Sequence, residues 1–102
     1  MTTNIREFIE SPLYQGTGEK IRYNLTTTQW GSSPSSPVVK IYNESDTDTS
    51  TTNLDGTASA AGDVVTTPFV KSLLPGVRYK IEIQFTSGGN IFVVYGYIRG
   101  EA

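Results

Sequence analysis

Lys71 to Arg99 reads KSLLPGVRYKIEIQFTSGGNIFVVYGYIR, and this stretch decides the fold. Val77, Tyr79, Ile81, Ile83 and Phe85 alternate with Arg78, Lys80, Glu82, Gln84 and Thr86. A period of two puts one set on the buried side of a strand and the other on its wet side. Ser87-Gly88-Gly89-Asn90 follows. Gly and Asn tolerate positive φ, so the chain reverses there. Ile91 to Arg99 is a second β-rich run, with Val93, Val94, Tyr95, Tyr97 and Ile98. The expectation is one β-hairpin. Tyr95 and Tyr97 share a face of its second strand, with Gly96 between them.

Further strands are expected upstream. Glu19 to Thr28 carries Ile21, Tyr23 and Leu25 in alternation with polar residues, and the threonines after Leu25 extend the β propensity. Val38 to Tyr42 reads as a short strand, Ala58 to Ala61 as another, and Val64 to Val70 as a third. Pro68 interrupts the last of these. Proline cannot donate to a ladder, so it implies an edge position, a bulge or a strand end. Turn chemistry separates the runs at Asp55-Gly56, Gly62-Asp63 and Leu74-Pro75-Gly76. Between Trp30 and Pro37, serines and two prolines make a wide loop. Trp30 covers one end of the core in the simplest reading, and an exposed binding tryptophan is the other.

About seven short strands at roughly ten-residue spacing, with no core helix, are the pattern of an all-β fold, an antiparallel β-sandwich. Residues 19–102 form this domain. Residues 1–18 read as an N-terminal arm. Within it Ile5, Phe8 and Ile9 fall at i, i+3, i+4, a short helical edge that Ser11-Pro12 would end. Gln15-Gly16-Thr17-Gly18 reads as a flexible joint. So short a helix is marginal alone in water, so the arm needs a surface to lie on.

Composition removes several functions. The chain has 102 residues, eight Lys and Arg, ten Asp and Glu, and no His or Cys. Without Cys there is no disulfide or thiolate chemistry, and without His the usual general base and commonest metal ligand are missing. The cations are scattered rather than striped, which argues against nucleic-acid binding. No apolar run reaches membrane-span length, so no membrane partner is expected. Asp46-x-Asp48-x-Ser50 begins like a calcium loop, then fails, with Thr51 at the glycine position and Thr57 at the bidentate-acid position. The segment reads instead as a solvated loop or a Thr-rich edge strand. Lys71-Ser72 is the one adjacent Ser–Lys pair, but sequence neighbours on a strand point to opposite faces. No cofactor, metal or catalytic constellation is expected, and the protein reads as non-enzymatic.

Leu73-Leu74-Pro75-Gly76-Val77-Arg78-Tyr79-Lys80-Ile81 resembles the L-x-P-G-x-x-Y-x-I segment of fibronectin type III and related immunoglobulin-like domains. The resemblance implies an Ig-like sandwich in which Tyr79 is a structural corner, its ring in the core and its hydroxyl on backbone near Leu74. A wider pattern is similar to small structural proteins of tailed-bacteriophage heads. It comprises Gly18-Glu19-Lys20-Ile21-Arg22-Tyr23, Trp30, Pro37 to Tyr42, Gly62 to Pro68, Leu74 to Tyr79 and Phe85 to Asn90. That resemblance implies a capsid cement, or decoration, protein on the outer surface of the virion head. It would bridge major capsid protein subunits and contact other copies of itself, with a homotrimer as one arrangement. Ile5, Phe8, Ile9, Tyr14 and Trp30 are the candidate partner contacts. A different class of reading is an adhesion or carbohydrate-binding module of a tail or fibre, using loops 30–37 or 43–56. A head–tail connector is a third.

Overall fold

The computed structural model describes residues 13–102. Ile5, Phe8 and Ile9 therefore lie outside the described residues. Among the described residues there are eight strands: β1 (Leu13–Gly16), β2 (Ile21–Thr26), β3 (Ser35–Tyr42), β4 (Leu54–Asp55), β5 (Ser59–Ala61), β6 (Val64–Val70), β7 (Arg78–Ser87) and β8 (Asn90–Glu101). One helical turn among the described residues, α1 (Ser50–Asn53), precedes β4. The strands form two packed sheets. Sheet I has the order β1-β8-β7-β3, and sheet II the order β2-β6-β4 with β5 also on β6. All pairings are antiparallel except β1 with β8, which is parallel.

The β7–β8 hairpin follows its alternation. Tyr79, Ile81, Ile83 and Phe85 are buried, and Ser87 pairs with Asn90 across Gly88-Gly89. Both glycines have positive φ, 58° and 82°. That is the primed two-residue turn whose twist matches the strands. Ile41 of β3, Val94 and Ile98 of β8, and Leu25, Val65 and Val70 of sheet II complete the core with Leu73. Burying each such side chain contributes about 1.5–3 kcal/mol relative to leaving it in water.

Pro68 resolves as a bulge. Arg22 pairs with Phe69 and Asn24 with Thr66, so Tyr23 alone faces both Thr67 and Pro68. On the other side of β6, β5 ends at Thr66 and β4 begins at Phe69. The proline thus sits where the ladder lapses on both sides. Thr67 compensates, because its Oγ1 accepts the Tyr23 N–H at 3.0 Å. A proline in the middle of the sheet costs no ladder bond here.

Part of the span read as an arm is described. Residues 13–16 are strand β1, and Gln15, read as part of a flexible joint, is 1% exposed. Its Nε2 donates to the Val70 carbonyl at 2.7 Å and to the Glu19 carbonyl at 3.1 Å. Its Oε1 accepts the Tyr23 hydroxyl at 2.7 Å. One side chain on sheet I thereby ties two strands of sheet II. A buried amide is tolerated when its polar atoms are matched in this way.

At the other end of the core, Tyr79 is 3% exposed and its hydroxyl accepts the Leu74 N–H at 3.0 Å. The corner is closed by the strand end: Gly76 N–H donates to the Gly100 carbonyl and Gly100 N–H to the Val77 carbonyl. Gly100 is required there, since a Cβ would run into the Leu74 carbonyl. The calcium-like segment is a capped turn. Asp48 Oδ1 accepts from both the amide and the hydroxyl of Ser50, whose Oγ accepts the Ile41 N–H. With Thr49 N–H on the Ile41 carbonyl, residues 48–50 cover part of the β3 edge.

Candidate interaction surface

The outward faces of the two sheets differ in kind. On sheet II, β2 presents Arg22, Asn24 and Thr26, and Thr66 of β6 donates its hydroxyl to Asn24. The aromatic there is Phe69, which lies under the cations Arg22 and Lys20, 4.1 Å and 5.1 Å from its ring centre. That face is polar and self-satisfied.

Sheet I is different. Its register aligns Tyr14 of β1 with Arg99 and Arg78, Tyr97 with Lys80 and Tyr42, Tyr95 with Glu82 and Lys40, and Val93 with Gln84 and Val38. Tyr14, Tyr42, Tyr95 and Tyr97 are four of the six tyrosines in the chain, and all stand on this face. The opposite side of β8 is occupied by Val94, Gly96, Ile98 and Gly100, all buried. Of the two faces of β8, the core therefore takes this one, and the tyrosines fall on the other. Tyr95 and Tyr97 meet edge to face at 5.7 Å. Arg78 lies over Tyr97 at 4.5 Å and Lys80 over Tyr95 at 5.1 Å. Lys80 also reaches Glu82 at 3.4 Å, and Arg99 reaches Glu101 at 3.5 Å. Tyr14, Val38 and Ile91 are exposed at the margins, at 62, 45 and 67%.

Physically, this face offers broad aromatic area at low side-chain entropy, held upright by cation–π and aromatic contacts. Tyrosine and arginine are the residues that dominate protein interfaces. Lys40, Arg78, Lys80 and Arg99 also collect half of the chain's eight Lys and Arg residues on one surface of a protein whose formal charge is −2.

Of the residues singled out from sequence, Tyr14 joins this face. Trp30 does not. It is half-buried at the end of the sandwich, edge-on to Phe85 at 6.3 Å, and Phe85 in turn stacks on Phe92 at 5.5 Å. The loop around it is pinned: Thr27 Oγ1 donates to the Gly31 carbonyl, and Ser87 Oγ donates to the Ser32 carbonyl. Sequence reading had no means to place Tyr42 with Tyr95 and Tyr97. Its strand carries aliphatic residues of both phases, and the alignment is made by the β3–β7 register.

A second feature lies at the corner end. A cleft of about 370 Å³ lies between amide and hydroxyl side chains, among them Asn43, Thr52 and Asn53, and an apolar wall of Leu74, Val77 and Tyr79, with the Glu44 carboxylate at its border. Asn53 Nδ2 is used internally, on the Lys71 and Ser72 carbonyls. The buried Thr49 hydroxyl has no hydrogen-bond partner among the described residues. Asp48 beside it ionises more readily than usual, first because the Ser50 hydroxyl donates to its carboxylate and then because the Ser50 amide does. Among the described residues no cluster of three or more His, Cys, Asp or Glu could hold a metal ion, and no helix is long and apolar enough to cross a membrane.

Comparison with known proteins returns no matching family model, no matching curated protein and no matching solved structure.

Proposed function

We propose that this protein is a non-enzymatic structural module that docks on a larger assembly through the outer face of sheet I. The observation that carries this reading is the gathering of Tyr14, Tyr42, Tyr95 and Tyr97 with four cations on one sheet face, while the other sheet is polar. The finer reading is a capsid cement protein on a phage head, contacting the major capsid protein and neighbouring copies. Its support is the order of sequence segments between residues 18 and 98. In this reading the sandwich is immunoglobulin-like: β3, β7 and β8 are one sheet, β2, β6 and β4 the other, and the Tyr79–Leu74 bond makes the corner between them. A cement protein binds assembled shell and not free subunits, so its binding free energy adds to that of the shell. Many weak copies related by shell symmetry make the effect large.

The test is attachment to heads lacking the protein, followed by imaging of the particles. Tyr95→Ser with Tyr97→Ser should keep the fold and weaken attachment more than roughly tenfold, the scale of losing an aromatic anchor. Density should appear at repeated local symmetry positions over the shell. Undiminished attachment, or density at one vertex alone, would sink the cement reading; the latter would instead mark a connector.

This cleft favours a second reading, a carbohydrate-binding module. Its amides and hydroxyls, with the Glu44 carboxylate and an apolar wall of Leu74 and Val77, combine the hydrogen-bonding groups and apolar surface that sugar binding uses. A glycan array probed with the isolated protein separates the two, because the cement reading expects no signal there.

A further inference from the structure

Among the described residues, sheet I ends at β1 and β3, and sheet II ends at β2 and, beyond β6, at β4 and β5. An open strand edge is a template for another chain, and folded proteins blunt it with short strands, proline or covering loops. β1, β4 and β5 are only four, two and three residues long. β3 carries Pro37, and its edge at Ile41 is covered by the Ser50 hydroxyl and the Thr49 amide. β2 has none of these three devices. It runs for six residues, IRYNLT, and its one charge is Arg22.

The phase of β2 is fixed at two points. Thr27 N–H donates to the Asp63 carbonyl at 2.8 Å, and Tyr23 N–H donates to Thr67 Oγ1 at 3.0 Å. Odd-numbered backbone groups therefore face β6, and those of Arg22, Asn24 and Thr26 face away from it. Among the described residues no strand pairs with β2 on that side, and these three N–H and three C=O groups have no hydrogen-bond partner. All three residues are exposed.

We propose that a second copy of this chain docks its own β2 antiparallel on this edge, with the two-fold axis at Asn24. In that register Arg22 pairs with Thr26 of the second copy, Asn24 with Asn24, and Thr26 with Arg22. Each of the six outward groups on each copy then gains a partner. Any shifted register leaves at least one of the three residues beyond the other strand, and a register centred on Arg22 also sets two guanidinium groups side by side. Between the bonded pairs, Tyr23 of one copy lies beside Leu25 of the other, an aromatic–aliphatic contact across the seam. The occupant is a second copy because the edge is complementary to itself. Its three residues supply donors and acceptors in equal number, and its one charge meets a neutral threonine. The two copies then share one continuous sheet, in the order β4-β6-β2-β2-β6-β4. The tyrosine face of sheet I takes no part in this seam, so the pairing does not depend on what that face docks on.

The isolated full chain tests this. Sedimentation equilibrium should show a monomer–dimer equilibrium. Asn24→Pro should raise the dissociation constant of the dimer more than about tenfold and leave the circular dichroism spectrum unchanged, because the N–H it removes points into the seam and bonds nothing within the chain. A monomer at every concentration, a trimer, or a dimer that Asn24→Pro leaves intact overturns the proposal. Cysteines read the register, since the chain has none of its own. Asn24→Cys faces its own copy with Cα atoms about 5.5 Å apart, within disulfide range, and should oxidise to a cross-linked dimer. Arg22→Cys alone lies roughly 14 Å from its copy and should stay a free thiol, whereas adding Thr26→Cys should restore the cross-link. Cross-linking of Arg22→Cys alone as readily as of Asn24→Cys overturns the register. Should Asn24→Pro not fold, Thr26→Pro and the cysteine variants make the same test.

Discussion

The β7–β8 hairpin and the Gln15 corner are both in the interior, yet they are held by opposite means. The hairpin is local. Its strands are adjacent in sequence, its turn is two glycines, and its buried face is apolar at every second position. The corner is non-local. Gln15 holds Val70 from 55 residues away and ties β1 of one sheet to β2 and β6 of the other. Apolar burial is non-directional and tolerates local error, whereas a buried amide stabilises only if each polar atom finds its partner. The hairpin therefore builds the body of the sandwich, and the corner locks how the two sheets meet.

Four substitutions or titrations can break or sharpen that contrast. The largest loss is expected in the hairpin. Phe85→Ala removes a fully buried ring that contacts Trp30 and Phe92, and should cost about 3–5 kcal/mol by denaturant unfolding. A loss below about 1 kcal/mol would mean that the core is not organised on this residue. Gln15→Ala comes next, at about 2–3 kcal/mol, because the Tyr23 hydroxyl and the Val70 carbonyl lose their partner. Gly18→Ala, two residues beyond β1 with open space at its Cβ, should stay within about 0.5 kcal/mol. If the two changes near the corner were equally mild, the corner would be a joint after all.

The smallest effect is alkaline. Burial, and secondarily the charge of Glu19, raise the Tyr23 pKa above the ordinary 10.0. The unfolded chain then gives up this proton first. The contribution of Tyr23 is intact below the ordinary phenol value and is lost as pH rises through the raised folded value. Thermal melts across that range should show a steeper alkaline decline for the native protein than for Tyr23→Phe. Parallel declines would separate Tyr23 from the corner's stability.

Much of the scaffold was legible. The hairpin, the order of the main strands and the tyrosine near Leu74 follow from period-two patterning and turn chemistry. Pro68 was legible only as a choice among edge, bulge and strand end, because the resolution lies in Thr67 Oγ1 and in the gap between β5 and β4. The candidate face was half legible. Tyr95 and Tyr97 visibly share a side of one strand. Which side faces the core could not be read, since β8 is apolar in both phases, and Gly96 and Gly100 mark the buried one without a hydrophobic signal. Gln15 carried a contrary signal, standing beside two glycines and looking like a joint.

What the residues determined by themselves is the set of elements: strands from alternation, reversals from Gly and Pro, and the absence of histidine and thiol chemistry. What only the tertiary structure decided is which strands lie side by side. The parallel seat of β1 on β8, the alignment of Tyr42 with Tyr97, and the partners of Gln15 all depend on pairings between residues far apart in the chain. The physical reason is that local propensity acts over a few residues, whereas register is set by the simultaneous burial of one face of every strand.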